Sequence, residues 1–155
     1  MMSGYTMHTL ELLAPAKDLA CGMAAISHGA DAVYIGAQRF GARVAAGNST
    51  DDIAELCRYA HLFDAKVYVT CNTLPREEEL NRLPAYLAFL QEAGPDALII
   101  ADLGVLALAK RFAPNVPLHV STQFGVVNSA TATVLNALNK VKDEKGMRRV
   151  EKFLK

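Results

Sequence analysis

The chain has 155 residues, 52% of them hydrophobic, which suits one core of ordinary size and makes a single globular domain, or part of one, the expectation. Sixteen Lys and Arg balance sixteen Asp and Glu, which excludes a global charge pull toward nucleic acid, although residues 1–139 hold nine basic against thirteen acidic side chains and residues 140–155 seven against three. Residues 1–8 lack the features of a secretory signal, no apolar run approaches the roughly 20 residues of a membrane span, and Cys21, Cys57 and Cys71 are too far apart for a CxxC site, so a reducing, cytoplasmic location is expected.

Five short apolar runs read as strands: LELLA near 10–14, AVYIG at 32–36, KVYVTC at 66–71, ALIIA at 97–101 and LHVS at 118–121. Several are apolar at consecutive positions, as in parallel sheets covered on both faces or wrapped by helices. The intervening pattern predicts helices near 17–28, 51–63, 77–93, 103–112 and 128–139. Ser49 or Thr50 can cap the second of these, ahead of Asp51 and Asp52. Thr73, followed by Pro75 and Glu77 to Glu79, marks the start of the third. The junctions repeat: HGADAVYIG (28–36) and AGPDALIIA (93–101) share Gly-x-Asp-Ala before a strand, with Gly29 and Gly94 closing a helix in the left-handed conformation. LFDAKVYV (62–69) keeps Asp-Ala and loses the Gly. Successive βα units form either an open doubly wound sheet or part of a (β/α)₈ barrel, whose usual minimum is about 200 residues. The expected fold is α/β, with parallel βα units over residues 1–139 supplying about five of the eight units of a TIM-barrel-like fold. A basic amphipathic helical tail follows over 140–155.

ELLAPA (11–16), HGADAVYIG with FGAR (28–43), the Asn48-Ser49 pair, VYVTCNT (67–73), DALIIADLGVL (96–106) and HVSTQ with Asn128 together resemble the N-terminal region of the collagenase-like peptidase family. The resemblance covers roughly residues 9–138 and implies a barrel-like N-terminal domain completed by further sequence. It implies, for full-length relatives, prephenate-dependent hydroxylation of a tRNA wobble uridine or a ribosomal cytidine, with RNA as partner and prephenate as a small dicarboxylate ligand. Other relatives hydroxylate ubiquinone precursors. The iron–sulfur cluster of the family is held by cysteines downstream of the matched region, so no cofactor is expected in this chain. After Leu138 the family pattern would continue with a turn and another strand, whereas NKVKDEKGMRRVEKFLK follows here. This chain alone is therefore expected to be inactive. Two other functions stay open: the peptidase activity of the family name, and a non-catalytic binding subunit or a partner in ubiquinone-precursor hydroxylation.

In parallel α/β folds the site gathers at the carboxyl ends of the strands. The residues following the five runs are small and polar, and five of them are candidate substrate-binding residues: Arg43, Asn72, Asp102, Ser121 and Gln123. Arg43 can clamp a carboxylate such as those of prephenate with two parallel hydrogen bonds, or anchor its loop to Asp51. Asp102 can orient that arginine, hold a substrate hydroxyl, or cap the helix beginning at Leu103. His119, Ser121 and Gln123 project from one face if the strand holds through 123, forming a polar interior layer. Same-face neighbours at that spacing lie about 6 to 7 Å apart, too far for a Ser–His pair, and no GxSxG elbow is present. HExxH is absent too, and His28 and His61 read as helix-end residues. Cys71 is the thiol placed for chemistry, with burial as a small apolar residue the alternative; Cys21 and Cys57 read as packing residues within helices.

Stopping at the fifth strand exposes a sheet edge and an apolar interior. Either the tail covers them or two copies associate through the open side of the barrel, and self-association is expected. The sequence gives no membrane partner.

Overall fold

A computed structural model describes residues 10–36 and 48–140. In chain order these are β1 (Leu13–Ala16), α1 (Leu19–Ser27), β2 (Ala32–Gly36), α2 (Thr50–His61), β3 (Lys66–Cys71), α3 (Glu77–Leu80), α4 (Leu83–Ala93), β4 (Ala97–Ile100), α5 (Leu103–Phe112), β5 (Leu118–Val120), a 3₁₀ turn (Thr122–Phe124) and α6 (Ser129–Lys140). The five strands form one parallel sheet in the order β1-β2-β3-β4-β5.

The repeated Asp-Ala grammar has a hydrogen-bond cause. Gly29 and Gly94 take positive φ, 96° and 72°, and turn the chain out of α1 and α4. Asp31 and Asp96 then each form a reciprocal pair with the neighbouring strand start. Asp31 N donates to Leu12 O at 3.0 Å while Leu12 N donates to Asp31 Oδ2 at 2.7 Å. Asp96 N donates to Val67 O and Val67 N to Asp96 Oδ2, both at 2.8 Å. The third junction is built differently. Asp64, matched by its sequence to Asp31 and Asp96, has φ 60° and occupies the place of the glycine, with Ala65 N bonded back to Ala60 O at 3.1 Å as Ala30 N is to Ala25 O at 3.1 Å.

Ser49, rather than Thr50, caps α2 in a reciprocal box with Asp52, and Ile53, Leu56, Cys57 and Ala60 face inward at helical spacing. The predicted helix 77–93 is two helices, because Pro84 in the first turn of α4 has no N–H and its ring would strike the Leu80 carbonyl of a continuous helix. Its first piece starts at Glu77 beyond Arg76, whose N–H is held by Glu79 Oε2 at 2.8 Å, and Thr73 is not its cap. The first strand begins at Leu13, since its register is set by Ala32 opposite it, and Leu10 and Leu12 stay exposed.

Helices pack on one face of the sheet. Val33, Ile35, Val67, Val69, Cys71, Leu98 and Ile100 form a single cluster with apolar residues of the helices. On the opposite face Ala32, Tyr68 and Ala97 are covered by Tyr34 and Ile99, and no described helix contributes. A doubly wound sheet reverses strand order and takes helices on both faces. The sequential order and one-sided helices are instead those of singly wound βα units.

Candidate functional site

The carboxyl ends of the strands are tied together by a residue that the sequence marked only as part of a motif. Asn48, 4% exposed, donates from Nδ2 to Lys17 O and to Gly36 O, both at 2.9 Å, clipping the ends of β1 and β2. Ser49 beside it caps α2, so the Asn-Ser pair does two structural jobs.

Of the five candidate residues, Arg43 lies outside the described residues. Asn72 follows β3, Ser121 follows β5, and strand registers place them either side of Ala101 after β4. Asp102 lies one residue further on, and its Oδ1 accepts from Val105 N at 3.0 Å as the cap of α5. A side chain on Gly104 would come within 2.9 Å of that oxygen, so glycine there leaves the cap its room. β5 ends at Val120, and the shared face expected of His119, Ser121 and Gln123 is not formed. Ser121 instead accepts from Gln123 N at 3.2 Å, which starts the 3₁₀ turn and breaks the strand; Ser121 is buried and Gln123 exposed. Ser121 also lines a cleft of about 440 Å³ between the β4–β5 edge and helices α5 and α6, whose walls include Ile100, Leu106, Leu118 and Leu135.

Cys71 is buried on the helix-covered face, and burial pushes its thiol up to about 12; burial does the same to Cys57, also to about 12. Both are protonated at neutral pH and unsuited to nucleophilic attack. Cys21, by contrast, is exposed on α1 and does not pack. His28 donates from its ring to Ala24 O at 2.7 Å and His61 to Asp96 Oδ2 at 3.1 Å, as helix-end residues do. The described residues hold no group of three or more His, Cys, Asp or Glu that could bind a metal ion. They do not fit an iron–sulfur cluster.

The open face carries a polar network that sequence reading missed. Glu11 Oε2 lies 2.8 Å from Lys66 Nζ, and the Tyr68 hydroxyl lies 2.9 and 2.8 Å from the two Glu11 oxygens. Hydrogen bonds from Lys66 and then Tyr68 hold the Glu11 carboxyl below its ordinary range. Lys66 is raised by the same hydrogen bond, and Tyr68 is raised first by burial and then by Glu11. The His119 ring stands edge-on to Tyr68 with centroids 5.1 Å apart. The alternation of side chains along β3, outward at Val67 and Val69 and inward at Tyr68, was the available signal.

The profile of Peptidase family U32 matches residues 17–142. The chain belongs to peptidase family U32. Among its relatives in the family, a 23S rRNA 5-hydroxycytidine C2501 synthase of Escherichia coli is 50% identical over 116 residues, covering 75% of this chain and 17% of that protein. A tRNA hydroxylation protein P of Helicobacter pylori is 42% identical over 83% of this chain and 31% of its own length. An uncharacterized protease of Methanocaldococcus jannaschii is 42% identical over 81% of this chain and 31% of its own length. The chain thus spans a third or less of these family members. No helix among the described residues is long and apolar enough to cross a membrane.

Proposed function

We propose that this chain supplies the first five βα units of a protein that hydroxylates a base of tRNA or 23S rRNA, the open face and the strand ends forming part of the substrate site. The observation that carries this reading is the 50% and 42% identity to relatives named for rRNA and tRNA hydroxylation. Strands from the remainder of a family-length protein complete the sheet as a TIM-barrel-like fold. In this reading prephenate donates the hydroxyl group, and Arg43, Asn72, Ser121 and Gln123 are the residues proposed to bind it. Asp102 contributes as the helix cap that shapes the rim. The iron–sulfur cluster belongs to protein outside the described residues, whose thiols form no ligand set.

The archaeal relative's name favours a peptidase as the second reading. Its chemistry has little support here, since His119 faces Tyr68, the Ser121 hydroxyl is engaged by Gln123 N, and Cys71 is a buried, protonated thiol. Deleting the gene and measuring nucleosides of tRNA and rRNA by mass spectrometry separates the two. Loss of one hydroxylated pyrimidine supports hydroxylation; unchanged nucleosides together with peptide cleavage by the purified protein reject it.

A further inference from the structure

We propose that the cleft at the β5 edge seats the carboxyl-terminal segment of this same chain, residues 147–154, as a helix antiparallel to α6. Residues 141–155 lie outside the described residues, and the proposal goes beyond the RNA-hydroxylation reading without depending on it.

The helix beside the cleft has the composition of a covered helix and no described cover. Residues 129–139 carry no charged side chain, yet most of them are exposed: Leu135 is buried, and Val134 is 57% exposed. By contrast, α2 turns Asp51, Glu55 and Arg58 to solvent and buries one apolar face. A helix without a charged face is ordinarily covered on more than one side. Ala132, Leu135, Asn136 and Asn139, at helical spacing, form the α6 wall of the cleft. The facing wall, Ile100, Leu118 and Val120, belongs to the helix side of β4 and β5, since Ile100 and Leu118 pack with the main core and Val120 stands two residues beyond Leu118. An apolar cleft of about 440 Å³ on that side favours an apolar occupant over water.

The chain itself delivers one. α6 ends at Lys140 beside the cleft, where Lys110 Nζ donates to the Asn139 carbonyl and ties the end of α6 to α5. Residues 141–146, ending in Gly146, make a connection within the range of about 2–8 residues that joins neighbouring helices. Beyond it, at about 100° per residue on a helix, Met147, Val150, Phe153 and Leu154 share an arc of about 120°, with Arg148, Arg149, Glu151, Lys152 and Lys155 on the other side. From Met147 to Leu154 is about 10 Å of helix, the same span as from Ala132 to Asn139 along the cleft. Seated there, the segment buries its apolar arc and leaves its charges in water, so no charge is desolvated. A second copy is the weaker occupant. A segment on a six-residue tether meets the cleft at an effective concentration on the order of millimolar, about a thousandfold above a separate chain at micromolar concentration. The segment covers the helix side of β5 and leaves the strand's backbone edge open to pairing.

The test is disulfide trapping in the 155-residue chain carrying Cys21→Ser, whose remaining native thiols are buried. Asn136→Cys with Val150→Cys joins the cleft wall to the middle of the segment, and Val134→Cys with Val150→Cys, from the outer side of α6, is the control. Under mild oxidation at micromolar concentration the first pair is expected to form an intrachain disulfide about tenfold faster than the control, read by non-reducing electrophoresis and peptide mass spectrometry. Val150→Asp is expected to raise severalfold the fluorescence of an apolar dye bound to the chain, and Lys152→Asp, on the charged side, to leave it unchanged. No disulfide, equal rates in the two pairs, or a disulfide formed only between chains overturns the proposal, the last by making a second copy the occupant. Dye binding indifferent to Val150→Asp overturns it as well.

Discussion

Asp96 and Val67 exchange two hydrogen bonds of 2.8 Å each, the Asp96 amide to the Val67 carbonyl and the Val67 amide to the Asp96 carboxylate. Asp31 and Leu12 do the same two strands earlier, but the residues that carry the two amides differ in exposure, Val67 being 0% and Leu12 61% exposed. Removing a carboxylate from a buried amide leaves that donor without a partner, which costs about 1–3 kcal/mol, whereas an exposed amide turns to water. Asp96→Ala is therefore expected to destabilise the fold by about 2 kcal/mol and Asp31→Ala by less than about 1 kcal/mol. Urea unfolding of the two variants checks the order, and equal losses would contradict it.

Acid and alkali should act on the Glu11 network in opposite senses. Glu11 is depressed below its ordinary 4.5, so its contribution is present above that value and is lost as pH falls through the lower folded value. Lys66 and Tyr68 are raised above 10.5 and 10.0, so their contributions are present below those values and are lost as pH rises through the higher folded ones. Glu11→Gln is expected to flatten both limbs of the curve of melting temperature against pH. The acid limb should flatten only in part, because Asp18 and Asp52 are also depressed by helix-cap hydrogen bonds. A profile unchanged by the substitution would remove the network from the stability of the fold.

The thiols should divide two to one. Cys57 and Cys71 are buried and pushed to about 12, while Cys21 is exposed. A thiol reagent at neutral pH is expected to modify one cysteine of the folded chain quickly and the other two only as it unfolds. Cys21→Ser should abolish the fast phase. A fast phase of two thiols would mean that the sheet opens at β3 or α2.

What was legible in the sequence were the features carried by neighbouring residues. The runs 32–36 and 66–71 and the helix 103–112 coincide with β2, β3 and α5, because apolar periodicity and an adjacent cap such as Asp102 act locally. The left-handed turns at Gly29 and Gly94 were legible for the same reason. Asp64 misled because one residue type serves two ends: an aspartate can tolerate positive φ or hold a neighbouring strand's amide, and only the register shows which. The Glu11 network was illegible since its partners lie 55 and 57 positions away. Ser121 belonged to a different backbone than expected, its own hydroxyl having ended the strand.

Self-association of the 155-residue chain is expected from the two ends of its sheet. β1 and β5 each pair on one side only in the described sheet, and their borders carry exposed apolar groups, Leu10 and Leu12 at one end and Val120 and Val127 at the other. All strands run parallel with helices on one face, so β5 of one copy can add to β1 of the next without reversing direction or turning the helices inward, a head-to-tail contact that either closes into a ring or continues. A charge on the border opposes such pairing, as natural edge strands show. Light scattering across micromolar concentrations is expected to give a mass above that of one chain, and Val120→Lys to shift it toward one chain with an unchanged circular dichroism spectrum. A strictly monomeric parent chain would exclude pairing, and an assembly indifferent to Val120→Lys would place the contact away from β5.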